Sequence, residues 1–129
     1  MDQSLSRPLI VVVDDDLAVR RSLEFALDLE GFAVETYESG EALLLRNAGQ
    51  TPACLVLDER LPGVSGLGAL RQLRARHAET PAILITSHPG PRLREAAASE
   101  GVPILEKPLL SETLVAAIQA VAEVPHDLR

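Results

Sequence analysis

Four polar sites in the sequence each follow directly after a short apolar run. Residues 11–13 lead into Asp14, Asp15 and Asp16, residues 54–57 into Asp58, residues 83–85 into Thr86 and Ser87, and residues 102–105 into Glu106 and Lys107. If the four runs are parallel strands, their carboxyl ends lie at one edge of a sheet, where open α/β sheets bind ligands. Carboxylates, a hydroxyl and an ammonium would then meet in one pocket, and that set can bind a divalent cation and a phosphoryl group.

Three of the acids, Asp14, Asp15 and Asp58, would place three negative charges in one cleft. Like charges at short distance disfavour full ionisation, and a hard cation relieves that repulsion. Carboxylate oxygens with water suit Mg²⁺ or Mn²⁺, so the pattern predicts a divalent cation site. Asp16 is a further candidate ligand, but Asp is a preferred residue at a helix N-cap, and we expect it to cap the first helix.

Extended and helical patterns alternate along the chain and predict five strand–helix units. The predicted strands are residues 9–13, 32–37, 53–57, 81–85 and 103–105. A helix is predicted after each strand. The second helix is capped by Ser39 and reaches about Asn47, the fourth begins at Pro91, and the fifth is capped by Ser111. Continuous β-branched runs are typical of strands buried on both faces. Strict alternation predicts a parallel sheet covered by helices on both faces, with right-handed crossovers.

Length and composition favour one folded domain without nucleic-acid binding. The chain has 129 residues, 47% of them hydrophobic, and a formal net charge of -7. This length suits a single domain, the hydrophobic fraction excludes global disorder, and the acidic balance lacks the basic footprint that phosphate backbones require. A cationic cluster of Arg71, Arg74, Arg76 and His77 falls late in a predicted helix, where cations suit the helix dipole. We expect a solvated helix end there; a partner or nucleotide contact is the alternative.

The sequence also indicates a chain of the reducing cytoplasm. Cys54 is the only cysteine, which excludes an intrachain disulfide. No apolar stretch approaches the roughly 20 residues that span a bilayer, and the first residues lack a signal pattern. We therefore expect a cytoplasmic location without membrane contact, with residues 1–7 and 123–129 as loose ends.

Taken in order, the polar sites resemble the receiver domain of bacterial two-component response regulators. The segments that carry the resemblance are residues 12–16, residues 57–66, residues 85–87 and residues 106–108, and the Val-Asp-Asp-Asp start is similar to FixJ-like receivers. The similarity covers roughly residues 8–122. It implies a doubly wound α/β fold, flavodoxin-like and CheY-like, in which a five-stranded parallel sheet of order 2-1-3-4-5 and five helices form a three-layer sandwich.

The resemblance also implies a metal-dependent phosphoacceptor. Asp58 would take a phosphoryl group from a phosphohistidine of a sensor histidine kinase or a phosphotransfer protein, which is carboxylate nucleophilic catalysis. Asp14, Asp15 and Asp58, with the backbone carbonyl of Arg60, would hold Mg²⁺ or Mn²⁺. The domain would then be a signalling protein that promotes its own phosphorylation and dephosphorylation, and not an enzyme with a turned-over substrate.

The two polar sites at Thr86 and Lys107 would bind the phosphoryl group. By the resemblance, the Thr86 hydroxyl donates to a phosphoryl oxygen, and Lys107 pairs with Asp58 at rest and with the phosphoryl group afterwards. The family has a cis bond between Lys107 and Pro108. Glu59, Arg60 and His88 flank the site, where they either tune phosphate lifetime by gating water or have a plain surface role.

The sequence departs from the family pattern on the predicted fifth strand. Receivers usually have an aromatic residue three positions before the lysine, and here that position is Ile104. An isoleucine cannot rotate inward as the aromatic residue does, so we expect the phosphorylation chemistry to be intact and its coupling to the output face to differ.

Three alternatives remain at this level. The expected function is a switch that binds a downstream protein through the fourth helix, fifth strand and fifth helix, where a homodimer is also possible. The chain could instead be a pseudo-receiver that acts unphosphorylated, or the receiver fragment of a longer DNA-binding regulator. A small phosphatase is the third alternative, because Asp14-x-Asp16 loosely matches the paired acids of such enzymes.

Overall fold

The structure, a computed structural model, describes residues 7–46, 49–76 and 80–122. Its strands and helices are β1 Leu9–Val13, α1 Leu17–Leu29, β2 Ala33–Tyr37, α2 Gly40–Leu44, β3 Cys54–Asp58, α3 Gly66–Arg76, β4 Ala82–Thr86, α4 Pro91–Ser99, β5 Ile104–Glu106 and α5 Ser111–Ala122. All paired strands are parallel, and their order is β2-β1-β3-β4-β5. The predicted fold class and strand order are confirmed.

The central strands β1, β3 and β4 are buried along their whole length. Because successive side chains of a strand point to opposite faces, each strand contributes to two cores. One core contains Val11, Leu55 and Leu84 together with residues of α2, α3 and α4, and the other contains Val12, Val56 and Ile83 together with residues of α1 and α5. The helices therefore form two outer layers around the sheet.

Two of the predicted helix caps are present and one is not. Asp16 accepts hydrogen bonds from the backbone N–H groups of Ala18 and Val19, and Ser39 accepts one from Ala42 at 3.0 Å. Ser111, in contrast, is the first helical residue of α5 and does not cap it. The reason is that the carbonyl of the preceding residue, Leu110, accepts the first helical bond from Leu114.

The second helix is shorter than predicted. It ends at Leu44, whereas the sequence pattern carried it to about Asn47, which lies outside the described residues. Leu45 is 80% exposed and Arg46 turns back to β2, where its Nε donates to Glu35 at 2.8 Å. The apolar pattern of this helix thus stops contributing to the core after Leu44.

The arginines late in α3 bind backbone carbonyls of neighbouring segments. Arg74 donates to the carbonyls of Thr80 and Glu100, Arg76 donates to the carbonyl of Leu44, and Arg71 forms an ion pair with Glu100 at 2.6 Å. Leu44 and Glu100 lie at the ends of α2 and α4, where carbonyls lack helical partners, and the guanidinium groups donate hydrogen bonds to these carbonyls. The arrangement favours a structural role over a nucleotide contact; His77 lies outside the described residues.

The predicted loose ends lie mostly outside the described residues, which include only Arg7 of residues 1–7 and none of residues 123–129. Arg7 is not loose: its guanidinium donates to Asp28 Oδ1 at 2.7 Å and to the carbonyl of Gly31 at 3.1 Å. Within the described segments, no helix has the length and apolar character that crossing a bilayer requires.

Candidate metal and phosphoacceptor site

The four polar sites meet at the carboxyl edge of the sheet. Asp58 and Thr86 are the last residues of β3 and β4, Asp14 follows β1, and Lys107 follows β5. The parallel register aligns these strand ends. Asp14, Asp58 and Thr86 are 2%, 4% and 2% exposed, and they are the buried polar side chains among the described residues. Burying polar and charged groups is costly unless they are hydrogen-bonded or paired, so their burial together marks this edge as a candidate functional site.

The acids form one cluster. Asp14, Asp15 and Asp58 each offer an oxygen within 4.8 Å of the others; Asp15 is exposed and the other two are buried. Burial raises the pKa of Asp14 above its ordinary value, and the charges of Asp58 and Asp15 add to that effect, whereas a hydrogen bond from the Asp16 N–H and the charge of Lys107 oppose it. A hard divalent cation would offset the repulsion, so this set of oxygen donors fits Mg²⁺ or Mn²⁺.

Lys107 supplies the one ammonium of the cluster. Its Nζ lies 3.3 Å from Asp58 Oδ2 and 3.6 Å from Asp14 Oδ2. Burial is the largest single influence on this group and lowers its pKa, but the charges and hydrogen bonds of Asp14 and Asp58 together outweigh burial, and the pKa is raised. The ammonium is therefore charged at neutral pH. The bond between Lys107 and Pro108 is cis.

Backbone hydrogen bonds fix the strand ends around the acids. The N–H of Asp14 donates to the carbonyl of Tyr37 at the end of β2, and the N–H of Asp16 donates to Asp14 Oδ1 at 2.9 Å. On the opposite side, the N–H of Lys107 donates to the carbonyl of Thr86 at 3.0 Å. The hydroxyl-bearing residue and the ammonium-bearing residue are thus held on adjacent strand ends.

The loop after β3 turns back toward the same cluster. The N–H of Arg60 donates to Asp58 Oδ1 at 3.0 Å, and the Arg60 side chain is exposed. This hydrogen bond places the Arg60 backbone beside the carboxylate of Asp58. The role of the Arg60 backbone carbonyl as a further oxygen donor stays a prediction.

Comparison with known proteins decides the family. Residues 10–119 match the family model of the response regulator receiver domain. The chain belongs to this family. The resemblance read from the sequence is confirmed, and receiver domains as a family are phosphorylated and bind Mg²⁺.

Curated relatives of this receiver are longer proteins. The transcriptional regulatory protein FixJ of Bradyrhizobium diazoefficiens is 37% identical over 112 residues, and the DNA-binding transcriptional regulator NtrC of Salmonella typhimurium is 40% identical over 84 residues. These matches cover 86% and 65% of this chain, but 55% and 18% of the two relatives. The chain spans about half the length, or less, of these relatives.

Solved structures give the same fold. Response regulator StyR superposes with a TM-score of 0.80 at 36% identity, and the match covers 92% of this chain and 60% of that one. Chemotaxis protein CheY4 of Vibrio cholerae superposes with a TM-score of 0.83, covering 90% of this chain and 99% of that one, at 24% identity. The second likeness shows the fold alone, and it confirms the CheY-like architecture.

Two residues predicted to flank the receiver site have different surroundings. The Glu59 carboxylate accepts a hydrogen bond from the N–H of Leu67 at 2.8 Å, so it binds the first turn of α3. Unpaired N–H groups at a helix start attract an acid in this way, and the structural role is the one that the geometry supports for Glu59. His88 is exposed, two residues after Thr86.

Ile104 lies between the core that contains Leu84 and an open cleft. It is half-buried, packs against the core cluster that contains Leu84, and pairs with Leu84 in the sheet. The cleft beside it has a volume of about 400 Å³ and is bordered by α4, including Arg94 and Ala98. The residue at the usual aromatic position is therefore an aliphatic side chain beside an open cleft.

A second cleft, of about 550 Å³, opens between α1 and the segment after β5. It reaches the site through Lys107. Its lining is mostly apolar and consists of Ala18, Val19, Ser22, Leu23, Ser87, Lys107, Pro108 and Leu109.

Sequence reasoning missed two residues that hold the site's backbone. Arg20 of α1 donates through Nη1 to the carbonyl of Asp14 at 2.7 Å, and Glu41 of α2 accepts from the N–H of Val64 at 2.9 Å. Both are long charged side chains on the first turn of a helix that follows a sheet strand. A long charged side chain at that position indicates a contact with a nearby backbone segment, but the sequence does not show which segment it reaches.

Proposed function

We propose that this receiver accepts a phosphoryl group on Asp58 in a Mg²⁺-dependent reaction and thereby changes its binding to a protein partner. The observation that carries the proposal is the placement of Asp58. Its carboxylate is buried, lies 3.3 Å from the Lys107 ammonium and shares a cluster with Asp14 and Asp15. Buried carboxylates with such partners are concentrated at reactive sites.

The chemistry is a displacement at phosphorus. An Asp58 oxygen uses its lone pair to form a new P–O bond, while the P–N bond of a phosphohistidine breaks and the imidazole leaves with that electron pair. Asp14, Asp15, Asp58 and the Arg60 carbonyl would hold Mg²⁺, which when bound neutralises charge on the phosphoryl oxygens. Hydrolysis of the acyl phosphate by water would return Asp58 to its starting form, as we propose for self-dephosphorylation.

Thr86 and Lys107 would recognise the transferred group. Lys107 exchanges its bond to Asp58 for one to a phosphoryl oxygen, a charge-assisted interaction. The Thr86 hydroxyl, one strand over from Asp58, donates to another oxygen. Both residues are on strand ends that the sheet holds in register, which makes the site ready for the phosphoryl group before it arrives.

The proposed donor is a sensor histidine kinase or a phosphotransfer protein. The proposed output is a downstream protein, or a second copy of the chain, bound through α4, β5 and α5, where Arg94 and Glu106 form an exposed ion pair at 2.8 Å. The names of the FixJ and NtrC relatives refer to transcription, so a DNA-binding output in a longer protein is part of this proposal.

The test is phosphorylation by a small phosphodonor such as acetyl phosphate, followed by intact mass. With Mg²⁺ the chain should gain one phosphate, and without Mg²⁺ or in Asp58→Asn it should gain none. Asp16→Asn is the matched control, because Asp16 lies next to the cluster but caps α1, and it should still be phosphorylated. A wild-type chain that stays unmodified contradicts the proposal and favours an unphosphorylated interaction module.

The phosphatase alternative loses its second acid in this structure. It needs the Asp16 carboxylate as a partner of Asp14 in proton transfer. Asp16 Oδ1 instead accepts N–H groups of α1 at 2.9 and 3.4 Å. The geometry therefore favours a phosphoacceptor domain over an enzyme that hydrolyses phosphomonoesters.

A further inference from the structure

A carboxylate on α2 holds the middle of the loop that joins β3 to α3. Glu41 is the second residue of α2, and its Oε2 accepts the N–H of Val64 at 2.9 Å. Gly63 lies directly under the same carboxylate, because a Cβ built on Gly63 would collide with Oε2. Gly63 also has a φ of 77°, in the left-handed region that favours glycine. The loop is therefore shaped to receive the Glu41 side chain.

The helix start packs tightly on the same point of the loop. A Cβ on Gly40 would meet Val64 Cγ1 at 2.5 Å and the Ala69 Cβ at 3.0 Å. Two consecutive residues of α2 thus hold Val64, Gly40 by close packing and Glu41 by a hydrogen bond. That bond lowers the pKa of Glu41, so the carboxylate accepts in its charged form at neutral pH, which strengthens the bond.

The β3–α3 loop, which Glu41 binds, also contains Arg60. Its two ends are fixed by the sheet and by α3, since the N–H of Glu59 donates to the carbonyl of Ile85 and the N–H of Gly66 donates to the carbonyl of Glu59. The middle of the loop, Pro62 and Gly63, is exposed. Leu61 anchors the loop in the core on one side of this middle, and the bond from Glu41 of α2 holds Val64 on the other side.

The segment before Glu41 also binds the other side of the acid cluster. The carbonyl of Tyr37, at the end of β2, accepts the N–H of Asp14. Ser39 then caps α2, and Glu41 binds the β3–α3 loop. A stretch of five residues, 37–41, therefore connects the backbone of Asp14 with the loop that contains Arg60.

We propose that Glu41 is a positioning residue for the metal site. Through Val64 and Gly63 it holds the β3–α3 loop in the conformation that presents the Arg60 carbonyl oxygen to the cation. This inference rests on the proposed function, in which that oxygen is a ligand of Mg²⁺. Partners that orient metal ligands, without touching the metal, typically change metal affinity by about 10- to 100-fold when removed.

The first test is a calorimetric Mg²⁺ titration of the whole chain and its variants. Glu41→Ala should weaken Mg²⁺ binding by about tenfold, the lower end of that range. Glu41→Gln should stay within about twofold of wild type, because its amide oxygen still accepts the Val64 N–H. Glu95→Ala removes an exposed acid of α4 and serves as the control for lost negative charge, with affinity like wild type.

The second test uses the wild-type chain and does not depend on a variant that folds. Coupling between two sites is reciprocal, so Mg²⁺ should slow hydrogen exchange of the Val64 amide by about the same tenfold factor. A purely structural contact between α2 and the β3–α3 loop would give the Val64 amide no slowing beyond that of core amides such as that of Leu84, which Mg²⁺ protects only by stabilising the whole fold.

The outcomes separate the two proposals. If wild type binds Mg²⁺, but Glu41→Ala binds it equally well or Mg²⁺ slows Val64 exchange no more than that of core amides, the positioning role is overturned and the proposed function stands. If wild type binds no Mg²⁺ and takes no phosphate, both are overturned. Weaker binding in Glu41→Ala with rescue in Glu41→Gln supports the positioning role.

Discussion

Lys107 donates to Asp58 across an intervening strand. Its Nζ lies 3.3 Å from Asp58 Oδ2, although Lys107 follows β5 and Asp58 ends β3, with β4 between them. The side chain therefore spans the carboxyl end of β4, where Thr86 lies. Because Asp58 is buried, losing this ammonium would leave a buried carboxylate without its cation.

We expect Lys107→Met to bind Mg²⁺ more tightly than wild type, by about tenfold, because the ammonium and the metal compete for the same negative charge. Without Mg²⁺, the variant should lose about 1–3 kcal/mol of unfolding free energy, since the buried Asp14 and Asp58 lose their half-buried cationic partner. Saturating Mg²⁺ should restore part of this loss. Calorimetric titration and urea unfolding measure the two effects.

Arg94→Met is the control for this prediction. It removes an exposed cation on α4 whose partner is Glu106, and exposed ion pairs contribute at most about 1 kcal/mol. Its Mg²⁺ affinity should equal that of wild type. A Lys107→Met variant with unchanged Mg²⁺ affinity would show that the ammonium and the cation do not share one pocket.

The strand-end acids could be predicted because two simple regularities act together. Apolar runs of β-branched residues form buried strands, and parallel strands share one carboxyl edge. Asp58 and Thr86 directly end such runs, so their convergence depends on little beyond the alternation of elements. The cap at Asp16 followed from a local preference in the same way.

Other contacts depend on tertiary placement and could not be read in advance. Arg20 and Glu41 reach backbone groups 6 and 23 residues away in the chain, and nothing local specifies where a long side chain ends. Glu59 stands next to Asp58 in sequence, which left open a role at the site or a plain surface role, but α3 starts close enough for the N–H of Leu67 to bind the Glu59 carboxylate. The start of α5 at Ser111 was similarly decided by which carbonyl accepts the first helical bond.

Replacing Asp16 and replacing Asp15 should have different effects on stability and on Mg²⁺ affinity. We expect Asp16→Ala to cost about 1 kcal/mol of unfolding free energy, because α1 loses its N-cap, and to leave Mg²⁺ affinity within about twofold. Asp15→Ala should weaken Mg²⁺ binding strongly while changing stability little, because Asp15 is exposed and belongs to the acid cluster. The two titrations and two urea curves, run together, give the comparison.

Asp16→Asn completes this test, since asparagine caps helices about as well as aspartate. It should match wild type in both stability and Mg²⁺ affinity. Weak Mg²⁺ binding in Asp16→Asn would instead make Asp16 a metal ligand and return it to the role that its position in the sequence also allowed.

Two arginines of α3 provide a matched pair for stability. Arg74 is half-buried and donates to two carbonyls, those of Thr80 and Glu100, whereas Arg76 is exposed and donates to the Leu44 carbonyl. Arg74→Ala should lower the unfolding free energy by about 1–3 kcal/mol, the cost of unmet buried polar groups. Arg76→Ala should cost about 0.5 kcal/mol or less, as expected for a surface change. Equal losses of the two variants in urea unfolding would contradict the expectation that the half-buried Arg74 contributes more stability than the exposed Arg76.

Cys54 offers a chemical probe of the sheet. It is the single cysteine of the sequence, lies fully buried in β3, and burial raises the pKa of its thiol to about 12. The thiolate is the reactive form, so iodoacetamide at pH 8 should leave the native chain unmodified and should label it completely in urea. Rapid labelling of the native chain would show that β3 opens easily.

The same pKa shift makes stability depend on alkaline pH. The unfolded thiol, with a pKa of about 8.5, loses its proton first, so between about pH 8.5 and pH 12 the folded chain binds more protons and its stability falls as pH rises. Below about pH 8.5 both forms are protonated and this contribution is constant. From pH 7.5 to pH 10, wild type should lose about 2 kcal/mol more unfolding free energy than Cys54→Ala, which lacks the thiol. Equal losses of the two proteins between the two pH values would show that the native thiol ionises in place, and would contradict the raised pKa of the buried thiol.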